Sequence, residues 1–260
     1  MPAASLGYLV APMGPMRRVD VLFARRADGY GGRSAKDGRR DCGSMALWKS
    51  TFVKVLAVEL ALYLVFSSVP LGGALKAELM QKYNSLEAGI RLYSVPQTFA
   101  FIVGHNAGIA ATEAIPAFGL LVLGGSSAST AMVINAVSAQ HSLPGLLLLL
   151  LLFLLPHTLV EILAYTAAAT GNLLFVAMLL DKRLVSGAKV LVASLAVSFS
   201  LLLFAGALET VELGLATVQP LLPYALWVPV FLVAAGAYMA LSPRGRTFLG
   251  YASPHGDAGI

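Results

Sequence analysis

Residues 143–183 read LPGLLLLLLLFLLPHTLVEILAYTAAATGNLLFVAMLLDKR. From 158 to 180 no Asp, Lys or Arg interrupts the apolar residues, and the run ends in Asp181-Lys182-Arg183. At about 1.5 Å of rise per helical residue, this run spans a hydrocarbon core roughly 30 Å thick. It shows no alternation of apolar and polar residues, so it is not a barrel strand. In lipid every backbone amide must be bonded within its own segment, and a helix does that. The rest of the chain has the same character, with 58% hydrophobic and 12% charged residues and a mean hydropathy of +0.79. Such values lie outside the range of soluble domains. The predicted fold is all-α, a polytopic transmembrane helical bundle.

Charge is unevenly placed. Residues 1–44 hold eight basic side chains (Arg17, Arg18, Arg25, Arg26, Arg33, Lys36, Arg39 and Arg40) against four Asp. This stretch shows no helical period and reads as a disordered basic cytoplasmic tail. Its few aromatic residues, Tyr8, Phe23 and Tyr30, make a poor platform for stacking bases, so a tail is the reading and no nucleic-acid partner is expected. Met45 opens MALWKSTFVKVLAVELALYLVF, which reads as an alternative start. The single cysteine, Cys42, excludes intramolecular disulfides and cysteine metal clusters. No cofactor or metal motif is present.

Working outward from 143–183, spans are predicted over 51–69, 98–123, 158–180, 189–216 and 222–241, with Gly124-Gly125-Ser126-Ser127 ending the second. Residues 129–156 are divided by Leu143-Pro144-Gly145 into two short pieces and form either one broken span or a re-entrant pair. Counted once, they bring the total to about six spans. Lys49, Lys182, Arg183, Lys189, Arg244 and Arg246 then all face the cytoplasm, as do both termini; counted twice, they place the 182–189 cluster outside. Residues 74–94 put Leu75, Leu79, Tyr83, Leu86, Ile90 and Tyr93 on one helical face and Lys76, Glu78, Lys82, Glu87 and Arg91 on the rest. That pattern predicts an amphipathic helix in the membrane surface. Residues 45–246 thus form the transmembrane domain, and 247–260 a short C-terminal tail.

Ionisable residues at membrane depth cost about 2.5–3.5 kcal/mol each on insertion scales and need a partner or a wet cavity. The candidates are Glu59, His105, Asn106, Glu113, Asn135, His157, Glu161, Glu209 and Glu212. Asn106 and Glu113, seven apart, share a helical face. His157 and Glu161 are four apart, and the same stripe continues through Tyr165, Ala168 and Asn172. Each has a plainer reading. Pro156, His157 and Glu161 are ordinary residues for a helix start, Asn106 and Asn135 serve as interhelical hydrogen-bond glue, and Glu212 and Glu87 read as solvated near a helix end.

The ordered series Phe101-Ile102-x-x-x-Asn106, Asn135, Leu155-Pro156-His157-x-x-x-Glu161, a small-residue helix with Gly171, and Ala207-Leu208-Glu209 resembles the stage II sporulation protein M family of integral membrane proteins. The resemblance covers about residues 97–215. This chain has Thr158, Ala136 and Leu163 where the family commonly has Gly, Gly and Pro, the pattern of a divergent member. The resemblance implies that Asn106, Asn135, Pro156, His157, Glu161 and Glu209 gather inside the bundle; with Glu113 they make the predicted intramembrane polar cluster. It also implies a membrane scaffold or assembly factor that recruits other membrane or envelope proteins.

Three functional classes compete: that scaffold, a small-solute transporter or channel subunit with a polar site at broken helices, and an intramembrane enzyme. His157-x-x-x-Glu161 lacks the second histidine of a zinc protease motif, and no nucleophile accompanies it, so no catalytic residue is assigned. The expected partners are membrane lipids, envelope proteins and a second copy of the chain, in a cell membrane.

Overall fold

The computed structural model describes residues 36–241, and of the side chains those from 46 to 239 save Ala237. The expectations for residues 1–35 and for the C-terminal tail lie outside the described residues. The bundle is built from Gly43 onward.

Every regular element among the described residues is helical. In order they are α1 (Lys36–Ser68), α2 (Gly73–Ile90), α3 (Val95–Glu113), α4 (Gly119–Ser138), α5 (Gly145–Phe153), α6 (Pro156–Leu180), α7 (Leu184–Val218) and α8 (Trp227–Leu241), with 3-10 turns at Ala139–His141 and Leu222–Leu226. Four stretches are long and apolar enough to cross a membrane: Ala46–Ser68, Gly119–His141, Pro156–Leu180 and Leu184–Val218. The chain is a membrane protein with a helical bundle.

Several boundaries differ from the sequence expectation. Helix α1 begins at Lys36, nine residues inside the stretch read as disordered. Extending a helix costs little once its nucleus exists, and the apolar run beyond Met45 supplies that nucleus. The predicted second span, 98–123, is two helices. It breaks over Ala114–Phe118, where Pro116 bars its predecessor from helical dihedrals and Ala117 turns left-handed at φ 65°. Gly124-Gly125-Ser126-Ser127, expected to end a span, lies inside α4; in apolar surroundings no water competes for the backbone, and small residues stay helical. The Leu143-Pro144-Gly145 break is present, with Ser142 left-handed at φ 54°, but its first half belongs to the long α4. The span expected over 222–241 opens with a 3-10 turn, which leaves α8 only 15 residues.

Helix α6 is the centre. Two thirds of its membrane window (67%) is buried within the protein, more than in the other three long helices. Ala164, Ala167, Ala168 and Ala169 are fully buried, and Gly171 lets α7 approach so closely that a Cβ there would stand 2.5 Å from the Ser194 Cβ. Small residues at a helix contact let backbones meet where lipid offers no hydrophobic drive. Cross-bonds fix the directions. Trp48 Nε1 donates to Ser194 Oγ at 2.9 Å and Thr166 Oγ1 to Glu59 Oε2 at 2.7 Å, so α1 runs antiparallel to α6. Asn106 bonds Glu161 and Asn172 reaches the end of α3, so α3 runs parallel to it.

Several helix ends are capped by side chains from other helices. Asn135 Nδ2 donates to the carbonyls of Ser67 at 2.9 Å and Val69 at 2.8 Å, at the close of α1. Asn172 Nδ2 donates to those of Glu113 at 2.8 Å and Ile115 at 3.0 Å, at the close of α3. Trp227 Nε1 donates to Leu154 O at 2.7 Å after α5. The last carbonyls of any helix lack intrahelical partners, and lipid offers none. A glycine stands beside each asparagine cap: a Cβ on Gly145 would meet Ser67 O at 2.3 Å, and one on Gly119 would meet Glu113 O at 1.6 Å.

Helix α2 packs on α4 with Leu79, Tyr83 and Ile90 half-buried, while Leu75 and Leu86 stay exposed. Its outer face carries Lys82–Glu78 and Arg91–Glu87 pairs at 2.7 and 2.6 Å. Lys82 holds the Glu78 carboxyl below its usual range by hydrogen bond and charge.

Candidate functional site: a polar ladder along α6

The start of α6 follows from its sequence. Pro156 occupies the first turn, where its missing N–H costs nothing, and is fully buried. The helical spacing then brings His157, Glu161 and Tyr165 to one face, with Thr166, Thr170 and Asn172 beside it. Each meets a different partner.

His157 Nδ1 forms an ion pair with Glu212 Oε2 of α7, and the His157 backbone N–H donates to Glu212 Oε1 at 3.4 Å. Glu212 is only 3% exposed, so the expectation of a solvated residue near a helix end is overturned. Helix α7 runs on to Val218, which places Glu212 two turns inside it and against the start of α6. Glu161 accepts from Asn106 Nδ2 of α3, as the predicted cluster requires. Glu209 is half-buried and stands near enough to His157 and Glu161 to act on them electrostatically; no hydrogen bond joins it to His157.

One turn further, Glu59 of α1 is fully buried and accepts from Thr166 through one oxygen. Glu113 at the end of α3 is also fully buried and accepts from Ser126 Oγ of α4 at 3.4 Å. Each keeps one buried oxygen, Glu59 Oε1 and Glu113 Oε2, with no hydrogen-bond partner. The buried phenols of Tyr63 and Tyr165 lie between the two groups: Tyr63 is within electrostatic reach of Glu59, Glu113 and Glu161, and Tyr165 of Glu161, Glu113 and Glu209.

The predicted single cluster is therefore divided. His157, Glu161, Asn106, Glu209 and Glu212, the last read from the sequence as solvated, form its lower part at the start of α6. Glu113 stands with Glu59 about two turns up, a pairing the sequence reading did not make. Asn135 does not join: its amide closes α1, because that broken end leaves carbonyls needing donors. His105 is exposed and stacks on Phe101 at 6.2 Å between ring centroids. From His157 to Asn172 the ladder climbs fifteen residues, about 22 Å at 1.5 Å per residue, most of a hydrocarbon core.

Among the described residues, no group of three or more His, Cys, Asp or Glu is arranged to hold a metal ion. Comparison with protein-family models, with curated proteins and with solved structures finds no match to this chain.

Proposed function

We propose that the protein is a multi-pass membrane transport protein that moves a small solute by way of the polar ladder on α6. The observation that carries this reading is the ladder itself: His157, Glu161, Glu59 and Glu113, drawn from three helices, follow one another along the most buried helix of the bundle. Ionisable groups inside a membrane protein mark ion and substrate paths by default. The breaks at Ala114–Phe118 and 139–144 agree with it, since transporters build their sites at interrupted helices. In this reading α1, α3, α4, α6, α7 and α8 are six crossings, α5 is a short re-entrant piece, and Lys49, Lys182, Arg183 and Lys189 share the cytoplasmic side of a cell membrane.

The test is flux in proteoliposomes carrying an internal pH dye and a panel of small charged solutes. Wild type should move protons or a solute down a gradient, and Glu161→Gln should slow that movement at least tenfold while the variant remains folded. Equal, background flux in both sinks the transport reading.

A second reading is favoured by α2 and by the family resemblance. The amphipathic helix leaves Leu75 and Leu86 exposed beside its charged face, with Leu92 following at 86% exposure, a surface suited to another envelope protein. As a member of the stage II sporulation protein M family the chain would be a non-enzymatic scaffold, and Leu75→Glu with Leu86→Glu would release a co-purifying partner without disturbing the bundle.

A further inference from the structure

Among the described residues, Glu59 and Glu113 are the two acids with a buried carboxyl oxygen that has no hydrogen-bond partner. Both side chains have zero solvent exposure, and each carboxyl uses one oxygen, toward Thr166 and Ser126 respectively. The other oxygen of each is buried without a partner. The ion pairs among the described residues, Lys82–Glu78, Arg91–Glu87 and His157–Glu212, leave both out. The groups facing the pair are anionic or neutral on every side: Tyr63 on α1, Ser126 on α4, and Glu161, Tyr165 and Thr166 on α6, with Glu209 of α7 beyond Tyr165. Two carboxylates within reach of each other in a dry interior cannot both stay ionised, since charge burial and like-charge repulsion act in the same direction. A carboxyl whose one oxygen accepts a hydroxyl's hydrogen bond is neutralised by a proton on the other, and here the unpartnered oxygens are the ones left over.

We propose that Glu59 and Glu113 form an occluded proton-binding pair, each carboxyl holding a proton on its unpartnered oxygen at neutral pH, and that the proton is the ion coupled to transport. The coupling rests on the transport reading; the site does not. A proton enters from water at one face, binds an ionised carboxyl when a change in helix packing wets it, and leaves by the reverse step, with no other reactant needed. In the lower group, with His157 on Glu212 and Glu161 on Asn106, no buried carboxyl oxygen is left without a partner.

Infrared spectroscopy of the purified protein in detergent tests the site directly. Wild type at neutral pH should show a protonated-carboxyl carbonyl stretch that shifts down in heavy water. Glu59→Gln and Glu113→Gln, which mimic the neutral form and should keep the fold, should each remove about half of it, and Glu161→Gln should leave it intact. Absence of the band from wild type at neutral pH overturns the proposal without recourse to any variant. Loss of the band in Glu161→Gln with no change in the other two also overturns it, as does its disappearance when sodium chloride is added at constant pH, because the site is then a metal-cation site. A band with the expected behaviour together with background flux in proteoliposomes leaves the proton site standing and removes the transport reading alone.

Discussion

At Glu212 the residue scale decides what is held and what is stored. Its carboxyl takes both the His157 ring and the His157 backbone N–H, whereas Glu209 reaches the same histidine only through the electric field. Removing His157 leaves an acid buried and unpaired, a change that costs about 3–5 kcal/mol where it has been isolated. His157→Ala should therefore destabilise the protein strongly, Glu212→Gln nearly as much, and Glu209→Gln by less than half of either, as read from denaturant midpoints in detergent micelles. A double-mutant cycle across His157 and Glu212 should return a coupling well above that across His157 and Glu209. Ala117 makes an opposite case. Its left-handed backbone costs an L-residue about 1–2 kcal/mol, part of which a glycine loses again to chain entropy. Ala117→Gly should raise stability by about 0.5–1 kcal/mol, visible as a higher melting temperature.

At the scale of elements the recurring device is a helix that stops inside the bundle and is finished by a side chain from elsewhere. The amides of Asn135 and Asn172 each close two carbonyls, and an unsatisfied buried acceptor costs about 1–3 kcal/mol. Asn172→Leu should lower stability by that order and speed hydrogen exchange at the end of α3, leaving α1 unaffected; Asn135→Leu should do the converse. Much of this was open to reading in the sequence. The i, i+4 spacing of His157 and Glu161 marked the inner face of α6, and Pro144 and Pro156 marked two of the breaks. What the sequence hid was the phase of α7, whose 35 residues are apolar all round, so that Glu209 and Glu212, three apart and therefore on neighbouring faces, gave no sign of which would meet His157. Pro116 was legible as a breaker but stood within an apolar run beside the more conspicuous Gly124-Gly125, and in lipid the glycines stay helical while the proline does not. The Asn135 cap was illegible for a different reason: its partners lie 66 and 68 residues away, and a hydrogen-bonding amide looks the same whether it glues two helices or ends one.

For the whole molecule, the question is whether the ladder's two parts act in series. The lower group opens toward the start of α6, where the His157 side chain keeps 15% of its surface exposed, and the upper pair is sealed. A path that serves transport must let the sealed pair reach water, and α1 and α3 carry its two acids, so relative movement of those helices against α6 is the step that exposes them. Helix α1 meets α6 through the Thr166–Glu59 bond and α7 through Trp48–Ser194, while α6 and α7 pack closely at Gly171 against Ser194. A reducible bis-thiol cross-linker between cysteines placed at Trp48 and Ser194 should thus stop flux and reverse on reduction, while one joining α6 to α7 near Gly171 should leave flux within about twofold of wild type. The check is proteoliposome flux before and after reductant in a Cys42→Ser background. Equal inhibition by both cross-links would mean that the bundle moves as one piece and that the ladder is a structural pin, its acids serving only to fix which face of α6 meets which neighbour.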